Sequence, residues 1–312
     1  MEGLLLSREY YFSVAEPKLK HDFPELYPRL AAGLAGNGSE CFGFDDEHSR
    51  DHDWGVDFYL WTTEEDSDAV PALRDWKDML FDADPPAFTR TRSEYGARVG
   101  VMACGEFYAG LIGTRGAPKT LSEWVRAPEE NFAMAVNGEV FYDGAGEFSK
   151  TRGLLIEYFP EDLRRKRIAA KCMALAQTGQ YNHDRTAKRR DWVTLRSVIS
   201  RFTDAAISMA FLLSKVYRPY YKWAFRSLSS LPVTGGASSR LLLKIAEAGG
   251  LDDDSFAVRQ QCMSDLCAIY ARELNNQGLS DSGDWFLTSH AEAVRGGISD
   301  DFLRSLPTQY EI

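Results

Sequence analysis

The chain has 312 residues, 44% of them hydrophobic and 26% charged, a balance that suits one large globular domain or two modest ones with real cores. A formal net charge of −10 gives free nucleic acid no general attraction, so an RNA substrate would need a local basic patch. Five scattered cysteines, an odd number with no CxxC pair, indicate neither a disulfide framework nor a zinc ribbon, and reduced thiols in a cytoplasmic protein are expected. The opening residues lack a basic stretch followed by a long apolar run, so no signal peptide is expected. The longest apolar stretch, 205–213, falls short of the roughly 20 residues that span a bilayer, and no membrane partner is expected.

In chain order, residues 24–34 read as a helix, 55–61 as a strand rich in aromatic and branched residues, and 70–81 as a helix. Residues 98–103 read as a second strand. Residues 121–127 and 129–136 read as short helices. Residues 139–142 form a third strand, bounded by Asn137-Gly138 and Asp143-Gly144. From about residue 160 strand signals almost vanish. Residues 161–177 form a run of good helix formers ended by Gly179. A second run covers 189–215 with apolar residues at near-helical spacing, and Pro219 opens a helix over 220–231. Helices over 238–248 and 255–276 follow. The expectation is an α/β (α+β) domain over residues 1–155 and an all-helical bundle domain over 156–312.

The chemistry concentrates in residues 38–55. Gly38-Ser39 forms a turn whose backbone amides and hydroxyl can approach a phosphate, where a larger side chain than glycine would block the way. Asp51 and Asp53 are spaced i, i+2, which on a strand puts both on one face. Two adjacent carboxylates repel unless a cation lies between them, and Mg²⁺ takes carboxylates together with substrate phosphates. Arg50 could orient a phosphate or pair with a local carboxylate. Asp45 and Asp46 could cap a helix or line the entry.

Eleven residues separate Ser39 from Asp51. This Gly-Ser turn followed by Asp-x-Asp is similar to the motif of the DNA polymerase β-like nucleotidyltransferase superfamily. More narrowly, the chain resembles the DUF4037 family within it, through Gly38-Ser39-Glu40, residues 43–47, Ser49-Arg50-Asp51-His52-Asp53-Trp54-Gly55, residues 137–143 and residues 217–223. The resemblance implies a nucleotidyltransferase domain with a mixed sheet of short strands. It implies that Asp51 and Asp53 bind one or two Mg²⁺ ions (or Mn²⁺), and that Gly38, Ser39 and Arg50 hold the phosphates of an NTP. The helical part, as in the antibiotic-modifying nucleotidyltransferases that this layout resembles, would close one wall of the cleft. It would contribute Lys222 from Pro219-Tyr220-Tyr221-Lys222-Trp223.

The superfamily usually supplies a third carboxylate from a neighbouring strand. Its expected position here is occupied by Gly100. Glu106 is the preferred substitute, with Glu157 and Asp57 as alternatives. The expected activity is Mg²⁺-dependent transfer of a nucleoside monophosphate from an NTP to an unidentified acceptor hydroxyl, a small molecule being favoured. The alternatives are a non-catalytic nucleotide sensor or interaction protein, motivated by the missing acid, and a toxin- or antitoxin-type modifier of tRNA or protein. Lys215, Arg218, Lys222 and Arg226 form either a cationic stripe or a solvated helix face. Residues 164–167 and 188–190 read as solvated helix ends and are the candidates for an RNA patch. Residues 180–185 read as a polar break between two helices that either lines the acceptor side or, as the preferred reading, is only a loop.

Overall fold

The computed structural model describes residues 3–51, 54–90 and 99–312, with Asp51 described by its backbone alone. The chain divides into two compact units, Met1–Glu157 and Tyr158–Ile312. The first is α+β with a small four-stranded mixed sheet, and helices follow it.

The first unit begins with α1 (Gly3–Tyr10), which runs through a π-helical segment, Tyr11–Ala15, into α2 (Glu16–Asp22). The sheet comprises β1 (Ala31–Leu34), β2 (Tyr59–Thr62), β3 (Val101–Ala103) and β4 (Glu139–Asp143), in the order β3-β2-β1-β4. β1 is antiparallel to both of its neighbours, and β2 runs parallel to β3 with Leu60 opposite Val101. Between the strands lie α3 (Val70–Ala83), α4 (Cys104–Ile112), α5 (Leu121–Trp124) and α6 (Glu129–Val136); α7 (Glu147–Ile156) closes the unit.

Alternation along β2 builds two cores. Leu60 joins Ala32, Val101, Tyr10, Tyr11, Leu73 and Leu80 on one face of the sheet. Tyr59 and Trp61 point the other way, where Trp61 stacks on Phe148 at 3.9 Å between ring centroids and meets Phe107 edge-on at 5.4 Å.

Residues 24–34 are not a helix. Tyr27–Arg29 form a single 3₁₀ turn and Ala31–Leu34 are strand β1. All four strand residues are buried, and β1 is paired along both edges, so small side chains suit it better than amphipathic spacing suggested. The strand expected over 55–61 starts later, at Tyr59, because Gly55 sits at φ +128° and Val56 makes only an isolated bridge to Thr89. Helices α1, α2, α4 and α7 carried no clear periodic signal in the sequence.

In the second unit the helices are α8 (Glu161–Leu175), α9 (His183–Lys188), α10 (Trp192–Ser214), α11 (Tyr221–Leu228), α12 (Gly235–Glu247), α13 (Asp253–Asn276), α14 (Leu287–Gly296) and α15 (Asp301–Ser305). α8 packs on α10 and α14, and α12 on α13, around Phe202, Phe211, Leu266 and Tyr270. The buried Tyr270 hydroxyl donates to the Ala206 carbonyl at 2.8 Å and shares a hydrogen bond with Ser238, linking three helices. α10 has 23 residues and is long and apolar enough to cross a membrane; 61% of its most apolar window is buried inside the structure, as in a core helix.

Residues 180–185 are not a loop. A π-helical segment, Ala176–Asn182, joins α8 to α9 without a break. Gly179 does not end a helix: it lies inside that segment, where a Cβ would collide with the Phe202 ring. His183 is buried, stacked on Phe256 and hydrogen-bonded to Gln260 at 2.8 Å.

Candidate functional site

β1 delivers the chain into the turn at residues 35–39, and the way this turn is held defines the site. The Asn137 side chain clamps it. Its Oδ1 accepts from the Gly36 amide at 2.7 Å and its Nδ2 donates to the Gly36 carbonyl at 2.8 Å. Asn137 is itself fixed by Arg152, whose Nη2 donates to the carbonyls of Val136, Asn137 and Gly138. The Gly138 amide donates to the Cys41 carbonyl at 2.8 Å, drawing the same segment against the far side of the turn.

Gly38 takes φ +122°, and a Cβ there would lie 2.7 Å from both carboxylate oxygens of Glu40. Glycine is therefore required twice, by the backbone and by the carboxylate beneath it. Ser39 precedes the 3₁₀ helix Glu40–Phe42, and its carbonyl accepts from the Phe42 and Phe44 amides. The amides of Gly38 and Ser39 and the Ser39 hydroxyl have no partner among the described residues, and both residues are half-exposed. Such a turn can donate to an anion. Cys41 is no nucleophile: burial, with Glu40 beside it, pushes its thiol well above the usual range.

Beneath the turn, Glu40 is 1% exposed and ion-paired with Arg90, itself almost fully buried. Burial pushes the Glu40 carboxyl upward, and the Arg90 guanidinium beside it pulls the other way. One Arg90 nitrogen, Nη1, is buried without a partner among the described residues. Nothing in the spacing of the chain marks this pair, whose members are 50 residues apart.

After the turn, Asp46 accepts hydrogen bonds from the His48 and Ser49 amides and so caps the 3₁₀ helix Glu47–Asp51. Asp45 Oδ2 accepts from the Gly3 amide at 2.8 Å and from Trp54 Nε1 at 2.9 Å. Arg50 is exposed, with its guanidinium 4.8 Å from the Trp54 ring centroid, and pairs with no carboxylate among the described residues. Asp51 ends the 3₁₀ helix instead of opening a strand, so the strand argument for a shared face with Asp53 does not apply to it. His52 and Asp53 lie outside the described residues, as does residue 98 of the expected strand. Among the described residues no three His, Cys, Asp or Glu side chains gather into a metal-holding group.

The candidates for a third carboxylate are placed as follows. Gly100 immediately precedes β3, its carbonyl accepts from the Leu60 amide, and a Cβ there would meet open space. Glu106 is exposed in the first turn of α4, where its carboxylate accepts from the Ala103 amide at 3.3 Å and caps its own helix. Asp57 is ion-paired at 2.6 Å with the nearly buried Lys77, which also donates to the Phe58 carbonyl. Glu157 is an exposed residue at the end of α7.

In the second unit two of the four cations spaced over residues 215–226 meet carboxylates. Arg218 binds Asp204 and Ser208, and Lys215 lies 3.9 Å from Glu161. Lys222 is exposed on α11, with its ammonium 5.0 Å from the Trp223 ring centroid. The basic run 164–167 is not a solvated helix end. Arg164 and Lys166 are buried, Arg164 donating to the Leu212 carbonyl and Lys166 to the Pro307 carbonyl, while Arg167 covers the Phe159 ring.

The family described as a domain of unknown function, DUF4037, matches residues 124–224, about a third of the chain. The match takes in Asn137-Gly138, β4, Arg152 and residues 217–223, and leaves out Gly38-Ser39, Asp51, Asp53 and strands β1 to β3. No curated protein matches the chain.

Proposed function

We propose that the first unit binds a nucleoside triphosphate at the Gly38-Ser39 turn and transfers its nucleoside monophosphate to an acceptor hydroxyl, as a nucleotidyltransferase of the DNA polymerase β-like kind. The observation that carries the reading is the turn itself. The Gly38 and Ser39 amides and the Ser39 hydroxyl have no partner among the described residues, the turn is clamped from below by Asn137, and eleven residues separate Ser39 from Asp51. Donors held in place before the ligand arrives bind a phosphate without a further ordering cost.

The oxygen donors of Asp51 and Asp53 fit Mg²⁺, or Mn²⁺, by chemical type, and they are the residues that would hold it. When bound, the cation neutralises phosphate charge. Gly38 and Ser39 would grip the departing phosphates. The acceptor oxygen bonds to the α-phosphorus as the bond from that phosphorus to the bridging oxygen breaks. Pyrophosphate leaves with the bonding pair, and the hydroxyl proton passes to water or a carboxylate. Arg50 is the cation of the first unit proposed for the phosphates, and a small molecule is the favoured acceptor.

A second reading, nucleotide binding without transfer, is favoured by one specific observation: Asp57 is held by Lys77 and Glu106 caps α4, so neither stands free as the third acid. One experiment separates the two readings. Each radiolabelled NTP is incubated with the chain, Mg²⁺ and a panel of hydroxyl acceptors, alongside the Asp51→Asn/Asp53→Asn variant. Label transfer with pyrophosphate release, lost in the variant, supports transfer. Transfer unchanged in the variant overturns it, and tight NTP binding without pyrophosphate release supports the second reading.

A further inference from the structure

We propose that Glu40 and Arg90 are positioning residues that lock the phosphate-gripping turn to the segment following Asp51 and Asp53. This rests on the nucleotide-binding reading and adds to it a pair that touches no nucleotide.

The Glu40 carboxylate occupies the space directly beneath Gly38, where a Cβ would come within 2.7 Å of both its oxygens. Its guanidinium partner belongs to residues 88–90, which pack on the chain just after Asp53. The Val56 amide donates to the Phe88 carbonyl at 2.8 Å, and Val56 and Thr89 form a parallel bridge. Gly55, at φ +128°, has Arg90 so close that a Cβ would lie 2.8 Å from the Arg90 Cα. Glu40 and Arg90 thus form one continuous path from the Gly38 backbone to the Gly55 backbone. Trp54 is tied in separately, by its indole N–H to Asp45 and by the edge of its ring against Phe88.

An ion pair this buried is a weak source of stability, because desolvation of both charges offsets their attraction. What it supplies is geometry: a charge-assisted link of fixed length between two loops with little regular structure of their own. A triphosphate that spans the turn and the carboxylates needs that distance held constant.

The test uses the full chain, titrated calorimetrically with the α,β-methylene analogues of ATP, GTP, CTP and UTP in Mg²⁺, with thermal melting of every variant. Glu40→Gln and Arg90→Met are each expected to weaken the tightest analogue by about tenfold or more, as loss of an outer-sphere positioning partner does. The double variant is expected to bind no more weakly than either single one, and Arg90→Lys to recover most of the affinity. If a single variant fails to fold, the double variant, which leaves no unpaired buried charge, carries the test. Folded variants that bind as tightly as the unaltered chain, or losses that add in the double variant, overturn this inference alone. An unaltered chain that binds none of the four analogues overturns it together with the nucleotide-binding reading.

Discussion

In the first unit the amides of Gly38 and Ser39 and the Ser39 hydroxyl have no partner among the described residues, whereas in the second unit several charged side chains are consumed internally. Arg164, Lys166 and Arg259 are buried and donate to carbonyls at Leu212, Pro307 and Gly250. Function resides where polar groups stay available. A basic run on a helix is a binding patch only if its charges face water, and in α8 the packing of the chain around the helix removes that condition. A glycine turn stabilised from behind, by Asn137 and Glu40, keeps its front free for a ligand.

The comparison breaks most sharply at the carboxylates. Asp51→Asn with Asp53→Asn is expected to abolish nucleotidyl transfer while leaving the melting temperature nearly unchanged; a large thermal loss with residual transfer would move these residues into the structural class. Arg164→Ala is the converse. It is expected to destabilise the chain by about 1–3 kcal/mol, because it empties a buried site and removes the hydrogen bonds to the Leu212 carbonyl and Gln277, and to leave affinity for RNA unaltered. Denaturant unfolding and a filter-binding titration with tRNA measure the two effects.

Gly38→Ala sharpens the picture at the turn. The strained backbone and the Glu40 carboxylate together predict a loss of about 1–3 kcal/mol in stability and a clear loss of nucleotide affinity, read by melting and calorimetry. A smaller effect concerns pH. Burial holds the His183 imidazole below its ordinary value of 6.5, so the unfolded chain takes up the proton more readily. The stabilisation is therefore present above pH 6.5 and is lost as the pH falls below it. His183→Gln is expected to flatten that part of the melting-temperature profile. The smallest change is Lys222→Ala. It should leave the melting temperature nearly untouched, since its exposed ammonium rests on the Trp223 ring, and a clear thermal loss would overturn this.

The long helices were legible because amphipathic spacing over many residues has few alternative explanations. The pattern over 255–276 became Asp253–Asn276, and that over 189–215 became Trp192–Ser214. β1 was not legible, since Ala31-Ala32-Gly33-Leu34 has neither alternation nor branched residues, and its strand state comes from pairing on both sides. At the candidate site the sequence pointed to Gly38 and Ser39. It named Glu40 without a role and Asn137 only as part of a turn, and it was silent on Arg90 and Arg152.

What the sequence determined by itself is therefore local: helix-forming runs, the need for glycine at residue 38, and the spacing from Ser39 to Asp51. What the tertiary structure decided is which polar groups remain available. Lys77 claims Asp57, α4 claims Glu106, carbonyls claim Arg164 and Lys166, and Arg90 claims Glu40. Hydrogen bonds and ion pairs are satisfied through space, across separations that no spacing rule in the chain encodes, so the free donors of a site emerge only after the buried ones have found their partners.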